Sequence, residues 1–331
     1  MIAIKKVLIT GGAGFIGSNL ARHLIGKGYQ VTVLDNLQRK GSEINLKRMQ
    51  KEFPKLAILK DDLDNADKIV QKLDVDAVYH FAAQVAVTKS YENPADDFRI
   101  NAQGSFKVAS AAGSRGIPVI YASTNKVYGD NVNDIELQEL PTRWEFKGDL
   151  KGRGISESFS IDSKKHTPYG VSKLVGEMYV REFGGIANRF SCIYGENQFG
   201  DADQGWVSHF VFSKVRGIPI TIYGDGKQVR DLLHIQDNVR LLEQEGLNAK
   251  KLKGEVFCVG GGHDNTISLL ELCKMLDIKP KFADWRPADQ KVYYSDITKA
   301  SKMLNWKPEV SVKEGISRMS AWINKIVKEM E

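Results

Sequence analysis

The sequence predicts an α/β protein: a doubly wound parallel sheet with a smaller C-terminal α/β lobe. Three observations predict it. Short β-branched apolar runs alternate with longer helical patterns through the first half of the chain. A glycine-rich turn joins the first run to the first helix. The second half is less regular, yet it still supplies strands and helices.

In order, "KVLIT" (6–10), "QVTVLD" (30–35), "LAILK" (56–60), "AVYHF" (77–81) and "VIYAS" (119–123) read as strands. They are nearly continuous in apolar character, as strands covered on both faces are. "SNLARHLIGKG" and "FRINAQGSFKVASAAGSRG" read as helices between them. "TPYGVSKLVGEMYVREF" reads as a further helix, with Thr167 as N-cap and Pro168 in its first turn. Beyond it come "ANRFSCIYG", a Gly- and Asp-rich loop, a helix ending near Gly217, and "ITIYGDGKQVRDLLH". The strand "EVFCVGG", the helix "SLLELCKMLDI" and loops rich in Trp, Arg and Pro complete the chain. There is no long linker or repeat, so the two lobes are expected to be interleaved in sequence.

With 331 residues, the chain is long enough for one large core plus a second lobe. Its 42% hydrophobic and 27% charged content is that of a soluble globular protein. The net charge of +6 comes from interspersed lysines and acids, which argues against a nucleic-acid footprint and suits acidic small molecules. Cys192, Cys258 and Cys273 are odd in number and far apart, so neither a disulfide framework nor a metal site is expected. The N-terminal residues show no signal-peptide pattern, and no apolar run is long enough for a membrane span. A cytoplasmic protein is expected.

The first turn carries chemistry. Gly12-Ala13-Gly14-Phe15-Ile16-Gly17 is a GxGxxG, and the same loop reads Gly11-x-x-Gly14-x-x-Gly17. It follows a strand and opens a helix, the context in which glycines admit a pyrophosphate to the helix N-terminus. Asp35 ends the next strand, 18 residues after Gly17. A carboxylate there accepts from a ribose diol and repels a 2′-phosphate, which favours NAD over NADP. Asp62, in "KDDLDN" after the third strand, can accept from the adenine amino group. A Rossmann-type NAD-binding domain is therefore expected over 1–180, with returns near 232–262, and a second lobe over 181–231 and 263–331.

Tyr169 and Lys173 stand at i and i+4, on one face of their helix. A phenol is a poor base at neutral pH, but a neighbouring ammonium and the positive nicotinamide both favour its anion. The expectation is a depressed Tyr169 pKa, with Lys173 also bonding the nicotinamide ribose. Thr124 ends the preceding strand and can share the substrate hydroxyl's hydrogen bond.

These features together resemble the extended short-chain dehydrogenase/reductase family over nearly the whole chain. The residues that carry the resemblance are GGAGFIG, Asp35, "HFAAQ", the Thr124 region, Tyr169 with Lys173, "GDGKQVRD" and "RPAD". It implies NAD in the N-terminal lobe and a nucleotide-diphosphate sugar in the smaller one. The implied cofactor contacts are Gly11, Gly14, Phe15, Ile16, Gly17, Asp35 and Asn36, then Asp62 and Leu63. Ala82, Ala83, Gln84 and Asn101 follow, with Tyr169 and Lys173. Arg230 and Arg286 would hold the substrate diphosphate and Asp289 its ribose. Val207 and Tyr223 complete the implied substrate site.

Sugar-nucleotide 4,6-dehydratases of this family carry Asp-Glu directly after the threonine, and UDP-glucuronate decarboxylases a glutamate near it. Asn125 and Lys126 stand there instead. What remains needs only hydride transfer and one hydroxyl proton, as in an epimerase. "STNKVYGD", "QVAVTKSYENP", "DQGWV" and "GKQVRD" are similar to the CDP-tyvelose (CDP-paratose) 2-epimerases within the family. Ala83 and Ala122 depart from that pattern. The resemblance implies inversion at C2 of a CDP-linked hexose, with Asn125 and Lys126 near the sugar and Gln204 and Trp206 lining its pocket. A 4-epimerase or another NAD-dependent nucleotide-sugar enzyme is the alternative, and a non-catalytic NAD(H) sensor a remote one. The family also implies a homodimer built on the helices near 95–113 and 168–183.

Overall fold

A computed structural model describes residues 4–163, 165–285 and 289–330. In chain order the first elements are β1 (Lys6–Thr10), α1 (Phe15–Gly26), β2 (Gln30–Leu34), α2 (Ser42–Glu52), β3 (Ala57–Leu59), α3 (Ala66–Lys72) and β4 (Ala77–His80). Next come α4 (Val87–Glu92), α5 (Pro94–Asp97), α6 (Gly104–Gly113), β5 (Val119–Thr124), β6 (Leu137–Glu139), β7 (Trp144–Phe146), α7 (Pro168–Glu182), β8 (Ile186–Phe190) and β9 (Cys192–Tyr194). The remainder are α8 (Trp206–Val215), β10 (Thr221–Tyr223), β11 (Val229–His234), α9 (Ile235–Asn248), β12 (Val256–Val259), β13 (Thr266–Ser268), α10 (Leu269–Met275), β14 (Lys281–Ala283), β15 (Val292–Tyr293), α11 (Thr298–Leu304) and α12 (Val312–Met330).

Seven strands form one parallel sheet in the order β3-β2-β1-β4-β5-β8-β12. Its strands bury side chains on both faces. Val7 and Ile9 of β1 join a core with Leu20 and Leu24 of α1 and Leu241 and Leu242 of α9. Leu8, between them, joins a core on the opposite face with Val70 of α3, Val108 and Ala112 of α6, and Val180 of α7. Strand order reverses between β1 and β4, so their carboxyl ends open a crevice, the usual ligand position in such sheets.

The smaller lobe is built on β11. Its first half pairs with β13 and β15, and Leu232–His234 pair with β9. Helices α8, α10 and α12 pack on this sheet through Phe210, Leu272 and Met319. No helix among the described residues is long and apolar enough to cross a membrane.

Two expectations are corrected. The large lobe does not end at residue 180: β8 lies between β5 and β12, and all five of its residues are buried. The α7 crossover delivers that strand into the sheet. The helix expected over 95–113 is not continuous either. Phe98–Gln103 form a π-helical turn between α5 and α6. The wider turn carries Asn101 into the interior, where its amide bonds Gln84, Asp97 and Ser172.

Candidate active site

A cavity of about 980 Å³ fills the crevice and continues under the smaller lobe. Its floor is the glycine turn. Gly11 adopts φ +66°, and a Cβ there would lie 2.6 Å from the Ala82 nitrogen. A Cβ on Gly17 would lie 2.3 Å from the Gly11 oxygen, so the turn closes onto α1 only with glycine. No side chain caps the N-terminus of α1. Its first N–H groups are thus available to an anion at the wall formed by Gly14, Phe15, Ile16 and Gly17.

Asp35 is buried beside this turn. Its Oδ2 accepts from Ala13 N at 2.9 Å and its Oδ1 from Leu37 N at 2.8 Å. Burial raises its pKa, and these backbone bonds oppose the rise. A carboxylate has about four acceptor positions, so capacity is left for a ribose diol. Asn36 Nδ2 donates to Asp62 Oδ2 at 2.7 Å, and both line the cavity with Leu63. Ala82, Ala83 and Gln84 form the facing wall. Every expected cofactor position but one therefore lines the cavity. Asn101 is fully buried behind that wall, where its Oδ1 accepts from Gln84 N.

Thr124, Tyr169 and Lys173 line the centre of the cavity. Thr167 caps α7 by accepting from Gly170 N at 2.9 Å, which fixes the start of the helix bearing the pair. Thr124 Oγ1 accepts from Lys126 N at 3.2 Å, and its hydroxyl favours the Tyr169 anion. Lys173 is 2% exposed, and its ammonium lies 4.2 Å over the Tyr121 ring. Burial lowers its pKa to about 7, against the attraction of Asp97 and Glu177. The expected depression of Tyr169 is not present in the protein alone. Burial pushes the phenol up to about 12, although the Thr124 hydroxyl and the Arg39 charge pull it down. Desolvation of the phenolate wins while no nicotinamide charge is beside it.

Toward the smaller lobe the wall carries Asn125, Lys126, Gln204, Trp206, Val207, Tyr223, Arg230 and Asp289. Arg230 pairs with Asp289 at 2.9 Å. Lys126 Nζ donates to Gln290 Oε1 at 3.4 Å. Burial and the Arg230 charge bring Lys126 down to about 8. Gln204 N donates to Asp201 Oδ1 at 2.8 Å within a tight turn that opens α8. Trp206 Nε1 donates to Cys192 Sγ at 3.4 Å. Arg286 lies outside the described residues. No group of three or more His, Cys, Asp or Glu among the described residues is arranged to hold a metal ion.

Three residues outside the expected set bear on the chemistry of the site. Cys192 follows β8 and lines the cavity. Arg39 lies four residues past Asp35, lines the cavity with Tyr169, and would attract the negative forms of Tyr169 and Asp201. Asp97 sits behind α7, bonded to Ser172. In sequence, Asp97 looks like an ordinary acid in a first helical turn, and nothing local marks it.

Residues 7–260 match the NAD dependent epimerase/dehydratase family. The chain is 38% identical to the CDP-paratose 2-epimerase of Salmonella typhi, over 97% of this chain and 100% of the relative. It is 33% identical to a putative UDP-glucose 4-epimerase of Methanocaldococcus jannaschii, over 96% of this chain and 98% of that one. Among solved structures, UDP-glucuronic acid 4-epimerase of Bacillus cereus, in complex with UDP-glucuronic acid and NAD, superposes with a TM-score of 0.80 at 26% identity. That match covers 97% of this chain and 99% of the other.

Proposed function

The chain belongs to the NAD dependent epimerase/dehydratase family, and we propose that within it this enzyme inverts C2 of a CDP-linked hexose of the paratose/tyvelose type. One observation carries the choice of reaction. Thr124, Tyr169 and Lys173 meet in the cavity, while the two positions after Thr124 are an amide and an ammonium. Neither Asn125 nor Lys126 supplies the carboxylic acid that elimination requires. The similarity to the Salmonella typhi protein supports C2 and cytosine.

Bound NAD supplies an acceptor for hydride and, once reduced, its donor. Gly11, Gly14, Gly17 and the α1 N-terminus would hold the pyrophosphate, and Asp35 the adenosine ribose. Its positive nicotinamide would offset the burial that holds Tyr169 in the phenol form. Tyr169, sharing the substrate hydroxyl with Thr124, takes the C2 hydroxyl proton as the carbinol becomes a 2-keto sugar. Lys173 would hold the nicotinamide ribose and favour the phenolate. Arg230 holds the substrate diphosphate and Asp289 its ribose, and Lys126, Gln204 and Trp206 border the sugar. After the sugar turns, C2 is reduced on its other face and Tyr169 returns the proton to the oxygen. Holding the reacting atoms near attack distance does much of the work.

We also propose a homodimer. Phe106 on α6, Met178 and Tyr179 on α7, and Phe183 just past its end are exposed apolar side chains. Phe106 and Tyr179 stack edge-on at 4.8 Å, making one continuous face. The free cysteines suit a cytoplasmic location.

The test is incubation of the pure enzyme with CDP-paratose, CDP-glucose and UDP-glucose in deuterated water, followed by NMR of the sugar protons. Inversion at C2 of a CDP-sugar without deuterium uptake is expected. Inversion at C4 of UDP-glucose, with CDP-sugars untouched, overturns the reading in favour of a UDP-sugar 4-epimerase.

A further inference from the structure

We propose that Asp97 is a positioning residue for the proton-transfer pair: its buried carboxylate, held on neutral donors behind α7, is the counter-charge of the Lys173 ammonium. The inference rests on the roles of Tyr169 and Lys173 given above.

Asp97 ends α5 and is 1% exposed. Ser172 Oγ donates to its Oδ2 at 2.5 Å. Gln84 Nε2 and Asn101 Nδ2 donate to its Oδ1 at 2.7 and 3.1 Å. Ser172 directly precedes Lys173 and lies three residues past Tyr169, so the carboxylate is fastened to the segment of α7 that carries both. The same carboxylate also holds Gln84, which lines the cofactor wall. None of the three donors is charged, so no hydrogen-bond partner of Asp97 supplies the cation that a buried carboxylate charge calls for. Such a charge is costly unless a cation faces it.

Lys173 is that cation. The other groups around it do not serve. Glu177, one turn further along α7, is bound by Arg189 at 2.7, 3.1 and 3.2 Å and by Ser123 at 2.6 Å, so its charge is already matched. His80 of β4 is kept neutral by burial, with its pKa lowered to about 3. Tyr121 of β5 offers the ammonium its ring face, while its hydroxyl donates to the Lys173 carbonyl oxygen. Tyr169 is a phenol in the protein alone. Accordingly Asp97 is a stronger upward influence on Lys173 than Glu177 is. It also disfavours the Tyr169 anion directly. Removing its charge therefore moves both members of the pair toward acid, without touching any group that meets the substrate.

The experiment labels the lysine side chains with ¹³C and ¹⁵N and follows the Lys173 signal, assigned by its loss in Lys173→Met, against pH. Wild type, Asp97→Asn and Ser172→Ala are compared. Asp97→Asn is expected to move the Lys173 titration down by about one pH unit. The kcat profile should move the same way, with KM unchanged. Ser172→Ala removes a bond but not the charge, and should leave the titration where it is. An unmoved titration in Asp97→Asn, or an equal movement in Ser172→Ala, overturns the proposal. If Asp97→Asn does not fold, Asp97→Ser takes its place in the same comparison. The titration needs no substrate. A wild type that epimerises no nucleotide sugar would therefore sink the reaction reading while the Asp97 result still stands or falls by itself.

Discussion

Glu177 and Arg189 form an ion pair inside the protein, 0% and 3% exposed, and Ser123 donates to the same carboxylate at 2.6 Å. The pair joins α7 to β8, and Ser123 joins both to β5 one residue before Thr124. It thereby fixes the helix of Tyr169 and Lys173 against the strand end that presents Thr124. Arg189→Leu should cost about 3–5 kcal/mol, because it leaves a buried carboxylate without its partner. The double variant Glu177→Leu/Arg189→Leu should recover most of that loss. Urea denaturation of the three proteins checks both statements.

Tyr169→Phe removes one oxygen from the cavity. Turnover should fall by about 100-fold or more, with bound NAD and the thermal midpoint unchanged. The proton chemistry predicts a second outcome. The positive nicotinamide should bring Tyr169 below its cofactor-free value of about 12. The difference in 295-nm absorbance between wild type and Tyr169→Phe, titrated with oxidised and with reduced cofactor, reads that movement directly.

Gly17→Ala puts a methyl group 2.3 Å from the Gly11 oxygen and 2.7 Å from Gly12 Cα. Both are backbone atoms and cannot swing away. The turn must open, so the purified variant should carry much less NAD than wild type. Acid release of the cofactor and chromatography measures it.

Glu245 lies 0% exposed on α9, with Asn188 Nδ2 donating to it at 2.8 Å. Burial raises its pKa to about 8 from an ordinary 4.5. The sign follows from where the proton is held. Below pH 4.5 both folded and unfolded chains keep it; above that the unfolded chain releases it first. This group's contribution to stability is therefore complete in acid and is lost progressively as pH rises to about 8. Glu245→Gln should flatten that slope and raise the stability at pH 8 relative to pH 5. Paired denaturation curves at the two pH values test it.

Met178 is 52% exposed on the apolar face of α6 and α7. A charge there opposes burial against a second copy. Met178→Glu should convert the proposed dimer to monomer in light scattering after size-exclusion chromatography. A wild type that is monomeric in the same measurement removes the dimer proposal.

The sequence by itself determined the parallel sheet, the dinucleotide turn and the Tyr169–Lys173 pair, since each is written in short-range spacing. Alternating apolar runs place β1 to β5. Gly11, Gly14 and Gly17 matter through their immediate neighbours, and a four-residue interval puts two side chains on one helical face. Tertiary structure alone decided what depends on burial and on residues distant in the chain. β8 enters the sheet because α7 carries it there, although its sequence stands beyond the apparent boundary. A π-helical turn moves Asn101 from the cavity into the wall behind it. Asp97 meets Ser172 across 75 residues, and no local pattern announces the meeting. The protonation of Tyr169 shows the reason most plainly. Spacing places an ammonium on its helical face, but desolvation is a property of the whole enclosing fold, and in the protein alone it outweighs the neighbouring charges.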